Sequence, residues 1–271
     1  MPSEGTDSNP TDTEFLAAHE PPPCTVLNCD SEVPVILVCD HASRRLPSSL
    51  GDMGLDPPAR RCHLAVDIGA GTLTRQLAAR LSVTAVLCEY SRLVIDCNRQ
   101  LLDPSAFLEY GDGIVIPGNR NLQAGEKEIR ANLIYWPYHK GVAAEIRRLQ
   151  SFGTPPAVLA IHSFTPVLNG VSRPWHMGVL WDADKRLAEV FLKALDETGF
   201  HVGDNEPYSG KAPQDFTIDH HAEANGLPYV GIEIRQDLID DQAGVDEITE
   251  IFAGIIRTIP DKISEPRRIH A

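Results

Sequence analysis

The sequence predicts an α/β protein in which helices cover both faces of a mainly parallel sheet. Three observations carry that prediction. Apolar runs at Val33–Cys39, Val83–Cys88, Ala157–Ile161 and Tyr229–Ile234 lack the clean polar alternation of half-exposed strands, as strands buried on both faces do. Segments with helical spacing of apolar residues separate them, the order that builds parallel βαβ units. Ionisable residues stand within or just past three of these runs: Asp40-His41, His162 and Glu233. Buried strands tolerate such groups when they are paired, metal-bound or catalytic, and open α/β sheets gather active sites at strand carboxyl ends.

Each element follows in order. Residues 1–30 begin with an acidic, Pro-rich stretch that lacks the basic-then-apolar order of a signal peptide. They are expected to form a disordered tail, with a cytoplasmic address, ahead of one catalytic domain over 31–265. Val33–Cys39 is the first strand. Pro58–Leu81 is expected to be helical, since Leu64, Ile68, Leu73 and Leu77 recur near helical spacing; Gly69 and Gly71 read as close packing rather than a phosphate cradle. Val83–Cys88 and Leu93–Cys97 are two short strands, and 103–125, rich in Gly, Pro and Asn, is a long loop of the kind kept for function. Glu126–Gln150 is a helix that Pro137 kinks or divides. Strands at Ala157–Ile161 and Met177–Trp181 precede an amphipathic helix, Asp184–Thr198, closed by Gly199. A loop over Asn205–Gly210, a short helix near 215–225, the strand Tyr229–Ile234 and a helix Val245–Ile259 ended by Pro260 complete the order.

Composition narrows the function. The 271 residues carry a net charge of −14, which argues against nucleic-acid partners or anionic membranes, since both need a basic face. A local Arg cluster can still take an anionic substrate. No apolar stretch approaches the roughly 20 residues of a membrane span. Six cysteines show no CxxC pair, so reduced structural thiols are expected.

His41 and His162, both at strand ends, fit imidazole ligation of a metal that keeps one open position. Zinc would need a third protein ligand. His63 and Asp67 are four apart on the expected helix, so either the missing ligand or a supporting carboxylate sits there, or simply a surface hydrogen bond. Glu233, between Ile232 and Ile234, should have a raised pKa suited to moving protons near neutrality; pairing with Arg235 is the structural alternative. Arg92, Asn98, Arg99 and Arg173 form a set suited to capturing a carboxylate or steadying an oxyanion. No Walker loop, GxGxxG or GxSxG is present.

Taken together, Val-Cys-Asp-His-Ala-Ser (38–43), His-Leu-Ala-Val-Asp-Ile-Gly-Ala (63–70), Tyr-Ser-Arg-Leu-Val-Ile-Asp-Cys-Asn-Arg (90–99), Pro-Tyr-His (137–139), His-Ser-Phe-Thr-Pro (162–166), Arg-Pro-Trp (173–175), Asn-Glu-Pro-Tyr-Ser-Gly (205–210) and Ile-Glu-Ile-Arg-Gln-Asp-Leu (232–238) resemble the signature segments of the N-formylglutamate amidohydrolase-like family. A remoter zinc-carboxypeptidase pattern runs through His41, Asn98/Arg99, His162 and Glu233 in order. That resemblance implies a single three-layer α/β/α domain of the zinc-carboxypeptidase/phosphorylase-hydrolase-like kind. Carboxypeptidases place a Glu three residues after the first His, where this chain has Arg44. The resemblance therefore leaves the carboxylate ligand to come from elsewhere, with Asp67 chosen and His63 or Asp40 behind it.

The implied activity is zinc-dependent hydrolysis of an N-acyl amino acid such as N-formylglutamate. In that scheme His41, Asp67 and His162 hold one Zn²⁺, and Glu233 is the general base. Arg92 steadies the oxyanion, Asn98, Arg99 and Arg173 clamp a carboxylate, and Tyr208 closes over the substrate. His139 and His220 have no derived role. The rivals are a peptidase or deacylase of another N-acyl amino acid, and a non-catalytic binding protein for an acidic ligand.

Overall fold

The computed structural model describes residues 15–211 and 215–264. Its central sheet has seven strands: β1 (Cys24–Leu27), β2 (Val35–Cys39), β3 (Thr84–Cys88), β6 (Ala157–Phe164), β9 (Met177–Leu180), β10 (Val202–Asp204) and β11 (Tyr229–Arg235). Two small hairpins lie outside it, β4 (Tyr110–Gly111) with β5 (Ile114–Val115), and β7 (Val167–Leu168) with β8 (Val171–Ser172). The order across the sheet is β1-β3-β2-β6-β11-β9-β10. The four central strands β3, β2, β6 and β11 are mutually parallel; β1 pairs antiparallel with β3 and β9 antiparallel with β11, while β10 runs parallel to β9.

Helices cover both faces. On one, α1 (Ala70–Leu81), α4 (Arg186–Asp196) and α6 (Gln242–Ile256) pack through Leu77, Phe191 and Phe252 onto Leu37, Leu159 and Ile232. On the other, α3 (Trp136–Gln150) and α5 (Phe216–His221) pack through Tyr138, Val142 and Ile218 onto Val38, Ala160 and Tyr229. Strand side chains alternate between faces. Asp40 therefore continues the Ile36/Val38 face, His162 the Val158/Ala160 face and Glu233 the Tyr229 face. All three belong to the α3 side, at the carboxyl end of the parallel strands.

Several expectations are corrected. The disordered tail over 1–30 is too long, because Cys24–Leu27 pairs with β3 and Phe15 is buried; residues 1–14 and the boundary at 265 lie outside the described residues. The helix expected over Pro58–Leu81 begins only at Ala70. Asp67 gives its N–H to the carbonyl of His41, and Gly69 turns the chain at φ +81°, so His63 and Asp67 share no helix face. A Cβ on Gly69 would fall 2.1 Å from the Ile239 carbonyl oxygen, and one on Gly71 would fall 2.4 Å from that of Ala42, so both are close-packing glycines.

Leu93–Cys97 is not a strand. Its apolar side chains are buried, but the backbone turns, with Val94 bonding Ser91 and Asp96 bonding Ala106. Buried Arg130 and Asn119 satisfy it instead: Arg130 Nη1 donates to the Val94 carbonyl and Asn119 Nδ2 to that of Leu93. The helix expected over Glu126–Gln150 is split into α2 (Ala124–Arg130), a π turn (Ala131–Tyr135) and α3. Pro137 lies in the first turn of α3, and the wider turn before it absorbs the missing N–H. The last helix stops at Ile256, and Pro260 opens a further short one, α7 (Ile259–Ser264), instead of ending it. Among the described residues no helix is long and apolar enough to cross a membrane.

Candidate metal centre and active site

Parallel pairing of β6 with β11 sets Glu233 directly opposite His162, and the turn after β2 brings His41 to the same edge. The imidazoles of His41 and His162 lie with ring centroids 5.2 Å apart. Their Nδ1 atoms both face Asp67 Oδ2, at 3.2 Å from His41 and 2.9 Å from His162. The remaining ring nitrogens face carboxylates: His41 Nε2 lies 2.7 Å from Asp96 Oδ1, and His162 Nε2 lies 3.3 Å from Asp40 Oδ2. Asp40 Oδ1 is held in turn by the Thr217 hydroxyl, and Asp96 Oδ1 accepts the Asn98 N–H.

This donor set suits a small divalent cation. Ligands at about 2.0–2.1 Å in a tetrahedral shell lie roughly 3.3 Å apart. One ligand atom from each of His41, Asp67 and His162 falls within 4.8 Å of the others, and all three residues are buried. A ligating imidazole needs its second nitrogen fixed by an acceptor; Asp96 holds His41 in that way, and Asp40 Oδ2 faces His162 Nε2 in ion-pair contact at 3.3 Å without a hydrogen bond.

Electrostatics describe the same arrangement without a cation. Burial works against a charged imidazole at His162, but Asp40 and Asp67 outweigh it and hold the pKa well above its ordinary value. His41 is raised in the same way, burial and Arg92 being overcome by Asp96 and Asp67. Burial would raise Asp40, yet His162, His41 and Thr217 bring it down to about 2, and Asp67 is likewise lowered by the two imidazoles against its burial. Protons on the rings thus supply the positive charge that the carboxylates require.

Glu233 is different. Burial pushes its carboxyl up to about 7, with His162 and His41 pulling the other way, and its Oε2 is buried with no partner. Arg235 does not pair with it; that guanidinium grips Asp237.

Arg92 sits inside the ligand cluster. It donates through Nε and Nη2 to Asp96 Oδ2 at 3.1 and 2.7 Å, and Nη1 faces Asp67 Oδ1 at 3.4 Å, so most of its donors hold acids rather than open space. Arg173 is buried between Phe164 and Tyr208. Its Nη1 donates to the Tyr208 hydroxyl at 2.7 Å, while Nε and Nη2 are buried with no partner. Tyr208 lies within electrostatic reach of Glu233 and Arg92. Asn98 accepts the Thr217 N–H through Oδ1 and so ties α5 to the site; Arg99 donates to the Asn98 carbonyl and contributes to the fields at Asp96 and Asp215.

His63 stands outside the three-residue cluster, its Nε2 3.4 Å from Asp112 Oδ2. His139 lies behind the site, bonded to the Cys97 carbonyl and to His221 Nε2, both at 2.9 Å, and His220 stacks on Phe216. Asp96 is the residue the sequence reading missed: it stands in the Asp96-Cys-Asn-Arg99 segment, but only folding shows that it faces His41.

Residues 33–240 match the family model described as N-formylglutamate amidohydrolase. The structure of a gene product of Agrobacterium tumefaciens is similar at 35% identity and a TM-score of 0.88, over 93% of this chain and 100% of that one. An N-formylglutamate amidohydrolase from Ralstonia eutropha is similar at 18% identity and a TM-score of 0.68, over 89% of this chain and 98% of that one; identity so low shows the fold alone. Comparison with curated proteins finds no match.

Proposed function

The chain belongs to the N-formylglutamate amidohydrolase family, and from that premise we propose that it hydrolyses the N-acyl amide of an acidic amino acid, with one divalent cation, zinc by preference, held by His41, Asp67 and His162. Family membership supports the coarser part, hydrolysis of an amide. One observation carries the finer reading: two imidazole Nδ1 atoms converge on one carboxylate oxygen while their Nε2 atoms face two more carboxylates, beside an unpartnered buried glutamate.

A cation held there would supply Lewis-acid polarisation of the acyl carbonyl and acidify a water toward neutral pH. Every other part belongs to the chain's own residues. Glu233, balanced near neutrality, takes a proton from the attacking water and passes it to the leaving nitrogen as the C–N bond breaks, releasing the acyl acid and the free amino acid. Arg92 holds Asp96 and Asp67 in place and turns its remaining N–H toward the developing oxyanion. Arg173 offers two unpartnered nitrogens to a substrate carboxylate, with Tyr208 released from it to close over the bound molecule. Asn98 and Arg99 complete carboxylate recognition from the side of α5. No described helix crosses a membrane, and the cytoplasmic address remains part of the proposal, as does a small-molecule partner.

The test is release of amino acid by zinc-loaded protein from N-formyl, N-acetyl and N-succinyl derivatives of glutamate and aspartate. Turnover of the N-formyl compounds with much weaker turnover of the N-acetyl and N-succinyl ones is expected. A stoichiometrically metallated protein that cleaves none of them would sink the reading and favour a binding protein.

A further inference from the structure

Away from the ligand cluster, the chain leaving His41 and the segment ahead of Cys62 border an open surface cavity of about 260 Å³, lined by Arg44, Leu46, Gly51, Pro57, Arg60 and Arg61, of which Arg60 is the half-buried arginine and Arg44 and Arg61 are exposed. Half of that wall is arginine and none of it is acidic. Among the described residues no carboxylate pairs with any of the three guanidinium groups, and Arg60 Nε is buried with no hydrogen-bond partner. The nearest acids in sequence are committed elsewhere: Asp52 Oδ1 accepts the Gly54 N–H and Asp56 Oδ1 that of Ala59. The molecule as a whole is acidic, with 38 Asp and Glu against 24 Lys and Arg. Three like charges facing one small cavity repel each other, and a buried N–H without an acceptor costs free energy. A bound anion relieves both.

We propose that this cavity is a binding site for a compact, multiply charged oxyanion of the phosphate type, separate from the metal cluster. The ligand class follows from the wall. Guanidinium forks match the oxygens of phosphate in bidentate fashion. The volume lies below the usual range of about 300–1,000 Å³ for drug-sized ligands, so it suits a phosphate group better than a large molecule. The site shares its walls with the chain that carries His41 and, beyond Cys62, Asp67, so an occupant would brace both ligand segments.

Inorganic phosphate is the probe, titrated into zinc-loaded full chain at constant ionic strength and followed by calorimetry and thermal unfolding. Saturable binding that survives in His162→Ala is expected, because the pocket does not involve the metal cluster. Arg60→Gln combined with Arg61→Gln should weaken phosphate by about tenfold or more, the loss of two charged hydrogen-bonding partners. Arg44→Gln alone, at an exposed position, gives the same direction without burdening the fold, and unfolding without phosphate confirms that each variant is native. Equal affinity in wild type and in both arginine variants, or loss of all phosphate binding in His162→Ala, overturns the proposal. So does a pocket that takes glutarate but not phosphate.

Discussion

Asp67 Oδ2 is the point on which the candidate site turns, since His41, His162 and the Ser163 N–H all reach it. Removing one ligand and removing the proton carrier should therefore separate cleanly. His162→Ala is expected to lose bound metal and turnover together. Glu233→Gln should keep stoichiometric metal and lose about 10²–10⁴ in kcat, the usual contribution of a positioned base; metal analysis beside steady-state kinetics reads both. Asp96→Asn keeps the three ligands but loosens the orientation of His41, and should weaken metal affinity about 10–100-fold. Because Glu233 works as a carboxylate, kcat/KM should rise with pH on a limb at or below the value of about 7 set by burial, a bound cation lowering it. A limb unchanged in Glu233→Asp would argue for another base. At this scale Asp40-His41, His162 and Glu233 were legible, because ionisable groups stand out in or beside apolar strands. The orienting role of Asp96 was not: its partner His41 lies 55 residues away, and nothing in local spacing encodes that pairing.

Among the elements, local pattern and burial disagree most where loops are buried. Leu93–Cys97 reads as a strand because all but one of its side chains are apolar, yet Arg130 and Asn119 satisfy its backbone in place of a ladder. Gly69 was visible as an interruption, but only its contact with Ile239 shows that the helix starts there and leaves Asp67 in a turn. Behind the site, α3 and α5 are joined by the His139–His221 hydrogen bond. Burial holds His139 down to about 4 and His221 to about 3. In the unfolded chain both would titrate near 6.5, so between that pH and about 4 the unfolded state binds more protons. The contribution of this pair to stability is therefore full above pH 6.5 and falls as the pH drops through this window, by up to about 1.4 kcal/mol per pH unit for each imidazole. Between pH 7 and 5 the stability that His221→Gln loses relative to wild type, read from urea midpoints, should shrink as the pH falls, so that the wild type carries the steeper acid-side loss. Equal slopes would mean that the pair is already charged in the fold.

For the whole molecule, the parallel core and both helical layers could be read from the alternation of apolar runs and helical segments. The edge strands β1 and β10 could not, being short and, in β10, carrying Gly203 and Asp204. Sheet order was equally hidden, although it is what sets β6 between β2 and β11 and so gathers their polar ends. That gathering has an energetic consequence. Without a cation, the cluster is balanced by protons on His41 and His162, whose pKa values are raised by the surrounding carboxylates. A cation binding to Nδ1 must displace them, so its affinity should rise with pH, by up to about tenfold per unit for each proton released. A ligand that binds only the folded chain stabilises it, by about 2.7 kcal/mol at one hundred times its Kd. Zinc added to metal-free protein should accordingly raise Tm by several degrees, more at pH 8 than at pH 6 for the same free zinc. The effect should vanish in His162→Ala and persist in Glu233→Gln. An equal rise in wild type and His162→Ala would place the cation elsewhere and leave the convergence of His41, Asp67 and His162 as a proton-filled structural knot.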